Sequence, residues 1–136
     1  MKKNSKPAAL FIGRFQPPHN SHKWLFEQKL NTETTILIAI RDIEPDEKNP
    51  LSAKQVKMLW EKIYSDNENV SVIIIPDIES VNWGRGVGYQ TNEHVPPVDI
   101  YNVSATQIRN SILSGSDDWK TMVDEKIHKD IEELLG

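Results

Sequence analysis

A single α/β domain built on a parallel sheet is predicted by two features of the sequence. Its apolar, β-prone runs are continuous rather than alternating, as in strands buried on both faces, and helix-period stretches separate them through short links. Alternation of this kind predicts right-handed crossovers and a doubly wound layer structure with helices flanking the sheet. With 136 residues the chain is long enough to enclose a real core and too short for two domains of ordinary size, so residues 1–136 are expected to form one domain.

The first strand is the run Ala8 to Ile12, closed by Gly13 and followed by the rigid Pro17-Pro18 loop. An amphipathic helix from Lys23 to Leu30 comes next. A strand, a tight loop and a helix in succession make an anion site, because backbone N–H groups and the positive end of the helix dipole meet above the strand end. His19 and His22, three residues apart in the first turn, can both face that position, and Arg14 supplies a fixed charge beside it.

Thr34 to Ile40 is the second strand, and the charged, proline-bounded stretch from Ile43 to Pro50 is a loop at its carboxyl end, the ligand side of an open α/β sheet. Arg41 and Lys48 either reach phosphates there or are solvated loop charges. Ser52 to Gln55 forms a capping box, with Val56, Leu59, Trp60 and Ile63 at helical spacing behind it. Val70 to Ile75, ended by Pro76, is the third strand.

From Asp77 to His94 the chain carries Gly84, Gly86 and Gly88 with neither the helix periodicity nor the full spacing of a dinucleotide fingerprint. It is expected to be a loop near a ligand, in which Arg85 can close over a phosphate. Trp83 has two readings: a flat aromatic that stacks on a base or cationic ring, or a side chain that packs the loop onto the body.

Pro97 to Val103 is expected as a final short strand, and Ser104 to Arg109 opens a helix continued by Ile112 and Leu113. Ser104 and Gln107 make a second capping box. Thr106 in the first turn and Arg109 one turn later share a face and can meet one anion at the helix mouth. Gly115 and Ser116 end that helix, and the stripe Trp119, Val123, Ile127, Ile131 and Leu134 predicts one more. His128 is expected on the surface.

The stretch Gly13-Arg14-Phe15-Gln16-Pro17-Pro18-His19-Asn20-Ser21-His22 resembles the His-x-Gly-His phosphate-binding motif of a nucleotidyltransferase superfamily. Its Arg-Phe-x-Pro form is most similar to the nicotinamide-nucleotide adenylyltransferases. Val103-Ser104-Ala105-Thr106-Gln107-Ile108-Arg109 resembles the superfamily's second signature, Ile-Ser-x-Thr-x-Ile-Arg, and Pro76 to Trp83 looks like the stretch where a tryptophan stacks on the pyridine ring. The resemblance implies a Rossmann-like fold and transfer of a nucleoside monophosphate, most often AMP from ATP, to a phosphate-bearing acceptor with release of pyrophosphate. It implies catalytic roles for His19, His22 and Arg109, nucleotide or phosphate contacts from Gly13, Arg14, Phe15, Ser21, Ser104 and Thr106, and acceptor contacts from Trp83, Arg85 and Arg41. No protein-held metal is expected; Mg²⁺ would arrive on the nucleoside triphosphate.

Three departures stand out. Ser21 replaces the motif glycine, Val56 stands near where relatives often have arginine, and the segment between the third strand and the second signature is short. A cytidylyltransferase acting on a small alcohol or sugar phosphate is the alternative enzyme, and a nucleotide-binding regulatory module without turnover is the alternative of another class.

Composition narrows the field. Twenty acidic residues against 16 basic ones, a net charge of −4, argue against a broad nucleic-acid surface, which needs many phosphate contacts. The absence of cysteine excludes disulfides and thiol catalysis. The apolar run after Lys2, Lys3 and Lys6 is too short for a signal peptide and no segment approaches membrane-spanning length, so a cytoplasmic protein without a membrane partner is expected. Domains of this size often pair, which leaves a homo-oligomer open.

Overall fold

The computed structural model describes residues 7–86 and 88–136. Strands β1 (Ala9–Gly13), β2 (Ile36–Asp42) and β3 (Val70–Pro76) form one parallel sheet in the order β1-β2-β3. Helix α1 (Asn20–Leu30) connects β1 to β2, and α2 (Ala53–Ile63) connects β2 to β3. This is the expected Rossmann-like arrangement of a parallel sheet flanked by helices.

Register shows where the core lies. Phe11, Ile38 and Val72 occupy one row, and residues paired in a parallel sheet share a face. On that face Ile36, Ile38 and Ile40 are fully buried, and the Phe11 ring meets Phe26 of α1 edge-on at 5.0 Å. Val56, Leu59 and Trp60 of α2 complete the layer, all fully buried. Each such side chain contributes roughly 1.5–3 kcal/mol of hydrophobic stabilisation. The opposite face is less covered: Leu10 is 56% exposed, and Ile73, in the row of Ile12 and Ala39, is exposed as well.

The capping box of α2 forms as expected, with Gln55 N–H donating to Ser52 Oγ (3.2 Å) and Ser52 N–H to Gln55 Oε1 (2.8 Å). Two expectations are corrected. The stretch from Pro97 to Val103 is not a strand but contains a one-turn helix, α3 (Val98–Tyr101). Pro97 leads into it with φ −57°, Asp99 lies in its first turn, and Tyr101 N–H donates to Pro97 O at 2.7 Å. Val98 and Tyr101 stay exposed, so this segment lacks the two-sided burial that a strand of a parallel sheet requires. Among the described residues β1 therefore pairs on one side only, and the strands step in a single direction.

The second correction concerns the carboxyl-terminal stripe. Helix α4 (Ala105–Leu113) ends as expected, Gly115 taking the left-handed φ of +76° that glycine tolerates best. Trp119, Val123, Ile127 and Ile131 are then all buried at the predicted spacing, but not on one helix. Short 3₁₀ turns at Asp118–Thr121 and Glu125–Ile127 precede α5 (His128–Leu135). The carbonyls of Thr121 and Met122, which a continuous helix would use in its own ladder, accept from Asn20 Nδ2 (3.0 Å) and Asn20 N–H (2.9 Å) at the start of α1. Asp124 is drawn to the same place by Lys23 at 2.7 Å. No helix among the described residues is long and apolar enough to cross a membrane.

Candidate active site

The β1–α1 junction is shaped by Phe15. Its φ of +52° is a left-handed conformation, which costs an aromatic residue on the order of 1–3 kcal/mol and persists only where packing holds it. Here the ring is wedged edge-on against Trp60 (5.4 Å), Phe26 (5.9 Å) and His22 (4.9 Å). It also lies over Gly13, where an added Cβ would come within 2.8 Å of Phe15 Cζ, so glycine is needed for the ring to sit there. The phosphate contact expected of Phe15 is thus closed to its side chain, which is buried beneath the junction.

Above Phe15 the two histidine rings stack, with centroids 3.7 Å apart and planes 25° from parallel. His19 is the N-cap of α1 and His22 its third residue, one turn on, so the helix starts before Ser21, which lies inside its first turn. Each imidazole is held by the backbone. Ser21 N–H donates to His19 Nδ1 (3.2 Å), and His19 N–H donates to His22 Nδ1 (3.1 Å). Since Nδ1 accepts in both rings, the proton of each neutral imidazole is assigned to Nε2, which becomes the donor left for a ligand. The expected anion site changes accordingly. Asn20 N–H is spent on Met122 O and Ser21 N–H on His19, so donors at this helix mouth come from the imidazoles more than from the first-turn amides.

Burial lowers the His19 pKa to about 4, and it holds His22 well below the ordinary imidazole range, with neighbouring His19 adding to the effect. Both rings are neutral at pH 7. A lowered folded-state pKa means that the unfolded chain binds more protons than the folded one below about pH 6.5, so stability rises with pH in that window. Lowering the pH from about 6.5 towards 4 should destabilise the protein by up to about 1.4 kcal/mol per pH unit for each histidine kept neutral. Urea denaturation at a series of pH values checks this, and His19→Gln should flatten the dependence.

The second signature reaches the first. Arg109 Nη1 donates to Gln16 O at 2.8 Å, across 93 residues of sequence, and the Ser104–Gln107 capping box forms at the start of α4. Thr106 is exposed in the first turn of that helix. At the carboxyl end of the sheet, Arg41 pairs with Asp77 (2.7 Å) and donates to Ile78 O (3.2 Å), while Arg14 lies 3.9 Å from the same carboxylate. Two guanidinium groups thus converge on one acid, and Arg14 Nε is buried without a partner among the described residues. Trp83 is 60% exposed and meets the exposed Tyr89 edge-on at 6.4 Å; among the described residues no hydrogen bond, ion pair or ring contact joins Trp83 or Arg85 to the histidines or Arg109.

Asp77 and Gln16 were not singled out from the sequence. Only the position of Asp77 directly after a strand end offered a signal for it. No group of three or more potential metal-ligating side chains occurs among the described residues.

No protein-family model matches the chain. Curated relatives do, over nearly its whole length. A nicotinamide-nucleotide adenylyltransferase of Caldivirga maquilingensis is 22% identical, one of Pyrobaculum arsenaticum 27%, and one of Methanococcus aeolicus 28%. The matches cover 93 to 94% of this chain and 88 to 90% of those proteins. The chain is most like a nicotinamide-nucleotide adenylyltransferase. Its alignments with these adenylyltransferases run over 157 to 162 residues against its own 136, so the relatives carry residues within the aligned span that it lacks.

Proposed function

We propose that the chain is an enzyme that transfers AMP from ATP to nicotinamide mononucleotide and releases pyrophosphate. The observation that carries this reading is the contact of Arg109 with Gln16 O, which sets the second signature against the loop that holds the histidine pair. The names of the relatives favour adenylyl over cytidylyl transfer.

In this reading a phosphate oxygen of the acceptor attacks the α-phosphorus of ATP in line. A new P–O bond forms as the bond from the α-phosphorus to the α,β-bridging oxygen breaks, and its electron pair leaves with pyrophosphate. Neutral His19 and His22 donate from Nε2 to the α- and β-phosphate oxygens as charge builds on them, which lowers the barrier by electrostatic stabilisation without a proton transfer to or from either ring. Arg109 keeps one N–H on Gln16 O and offers the others, with the hydroxyls of Ser104 and Thr106, to the departing pyrophosphate. Arg14 and Arg41 hold the acceptor phosphate, which competes with Asp77 for both and satisfies the buried Arg14 Nε. Mg²⁺ enters with the triphosphate as part of the substrate.

Trp83 is assigned to the acceptor's ring. Trp83→Ala should then weaken nicotinamide mononucleotide binding by about 1–3 kcal/mol, the range for stacking on an aromatic side chain, and leave ATP binding nearly unchanged. Titration calorimetry with each ligand checks this; equal losses for both would make the tryptophan part of the scaffold. The whole assignment is tested by pyrophosphate release across four nucleoside triphosphates and a panel of phosphomonoesters. ATP with nicotinamide mononucleotide should give the largest signal, a CTP-dependent signal with an alcohol phosphate would make the chain a cytidylyltransferase, and silence with every acceptor would make it a binding module.

A further inference from the structure

The side chain of Gln16 is buried, and both ends of its amide bind one residue. Nε2 donates to Leu51 O at 2.9 Å and Oε1 accepts from Leu51 N–H at 2.8 Å. Leu51 is itself fully buried and immediately precedes Ser52, the N-cap of α2. The Gln16 carbonyl oxygen, meanwhile, takes the guanidinium of Arg109. Three segments far apart in sequence therefore meet at one residue: the β1–α1 loop, the start of α2 and the first turns of α4.

A buried amide with two good hydrogen bonds is costly to disturb, because each partner left behind is an unsatisfied buried backbone group. The pair of bonds to Leu51 restricts rotation of the Gln16 side chain and, through it, the direction of the Gln16 peptide. That direction decides where the carbonyl oxygen lies and hence where Arg109 is anchored. Phe15, the residue before it, is held in a left-handed conformation by packing, so this backbone is held from two sides.

We propose that Gln16 is the positioning residue that aims Arg109 at the phosphate site, acting through its carbonyl while its amide locks the loop to the start of α2. The role rests on the nucleotidyltransferase reading for its purpose, while the joint itself is made entirely of contacts within the chain. A side chain that keeps the volume and loses the polar ends, as in Gln16→Met, should lower stability by leaving Leu51 N–H and O unpaired and, in the protein that still folds, let Arg109 wander. Its effect on the site then passes through Arg109 alone.

A double-mutant cycle tests this with wild type, Gln16→Met, Arg109→Ala and the double variant, read first as ATP affinity by calorimetry and second as urea stability of the ligand-free protein. Gln16→Met should weaken ATP binding by about tenfold, and the double variant should bind no more weakly than Arg109→Ala alone, because residues acting as one unit are non-additive. Gln16→Glu, which keeps the acceptor for Leu51 N–H but sets a carboxylate against Leu51 O, should behave like Gln16→Met. Additive losses in ATP affinity, or unchanged ATP affinity in Gln16→Met, would overturn the proposal. Should wild type bind no ATP, the nucleotidyltransferase reading fails; the ligand-free cycle then decides the joint, with coupling between Gln16→Met and Arg109→Ala supporting it and additivity overturning it.

Discussion

Replacing His22 with alanine is expected to lower turnover by about 10²–10³ while ATP affinity falls far less, the signature of losing a donor to charge that develops in the transition state. The reason lies in how the ring is held. His22 Nδ1 is committed to His19 N–H, and the ring stacks on His19 and rests against the edge of Phe15 and on Trp60, 6.0 Å away. A donor fixed in this way needs no reorganisation when charge appears on the phosphate oxygens, so its contribution is larger in the transition state than in the ground state. Because burial keeps both imidazoles neutral, the rate should not follow an imidazole titration between pH 7 and 8. Single-turnover rates with ATP affinities for His22→Ala and wild type decide the matter: a loss confined to affinity would make the ring a binding element only.

Trp60→Ala should produce the largest loss of stability of any single substitution considered, about 3–5 kcal/mol, the range for emptying a large buried aromatic site. Trp60 is fully buried and meets Phe15 (5.4 Å), Phe26 (5.0 Å) and Tyr64 (5.9 Å). A domain's net stability is about 5–15 kcal/mol, so this one cavity removes a large share of it. The same change undercuts the candidate site, since Trp60 supports both the Phe15 ring and the His22 ring to which phosphate donation is assigned in the proposed reaction. Urea denaturation should show a lowered midpoint with an unchanged slope. Trp60→Phe, which keeps an aromatic face, should lose less, and a midpoint equal to wild type in Trp60→Ala would show that Phe15 and His22 are held by other contacts.

Short-range chemistry was legible in the sequence. The capping boxes at Ser52 and Ser104 need only residues three apart, and the histidine pair needs one helical turn, so all three could be read without knowing the fold. The three strands were legible because buried parallel strands are apolar throughout. The stretch from Pro97 to Val103 was not, because a short apolar run becomes a strand only if a sheet edge buries it, and its Val98 and Tyr101 remain exposed. The carboxyl-terminal stripe gave the right buried residues and the wrong element, because Asn20, about a hundred residues earlier, takes the carbonyls that a helix would have used. Gln16 and Asp77 show the same limit: their partners Leu51 and Arg41 lie 35 and 36 residues away, and nothing local in the sequence points to either bond.

Product analysis after incubating the wild-type protein with ATP, Mg²⁺ and nicotinamide mononucleotide tests the central claim most directly, because it reports which phosphorus is attacked. Attack at the α-phosphorus, with the histidine pair and Arg109 stabilising the triphosphate, yields nicotinamide adenine dinucleotide and pyrophosphate in equal amounts, both greatly reduced in His22→Ala. Appearance of ADP and a phosphorylated acceptor instead, or of dinucleotide at the same rate in His22→Ala, would contradict it.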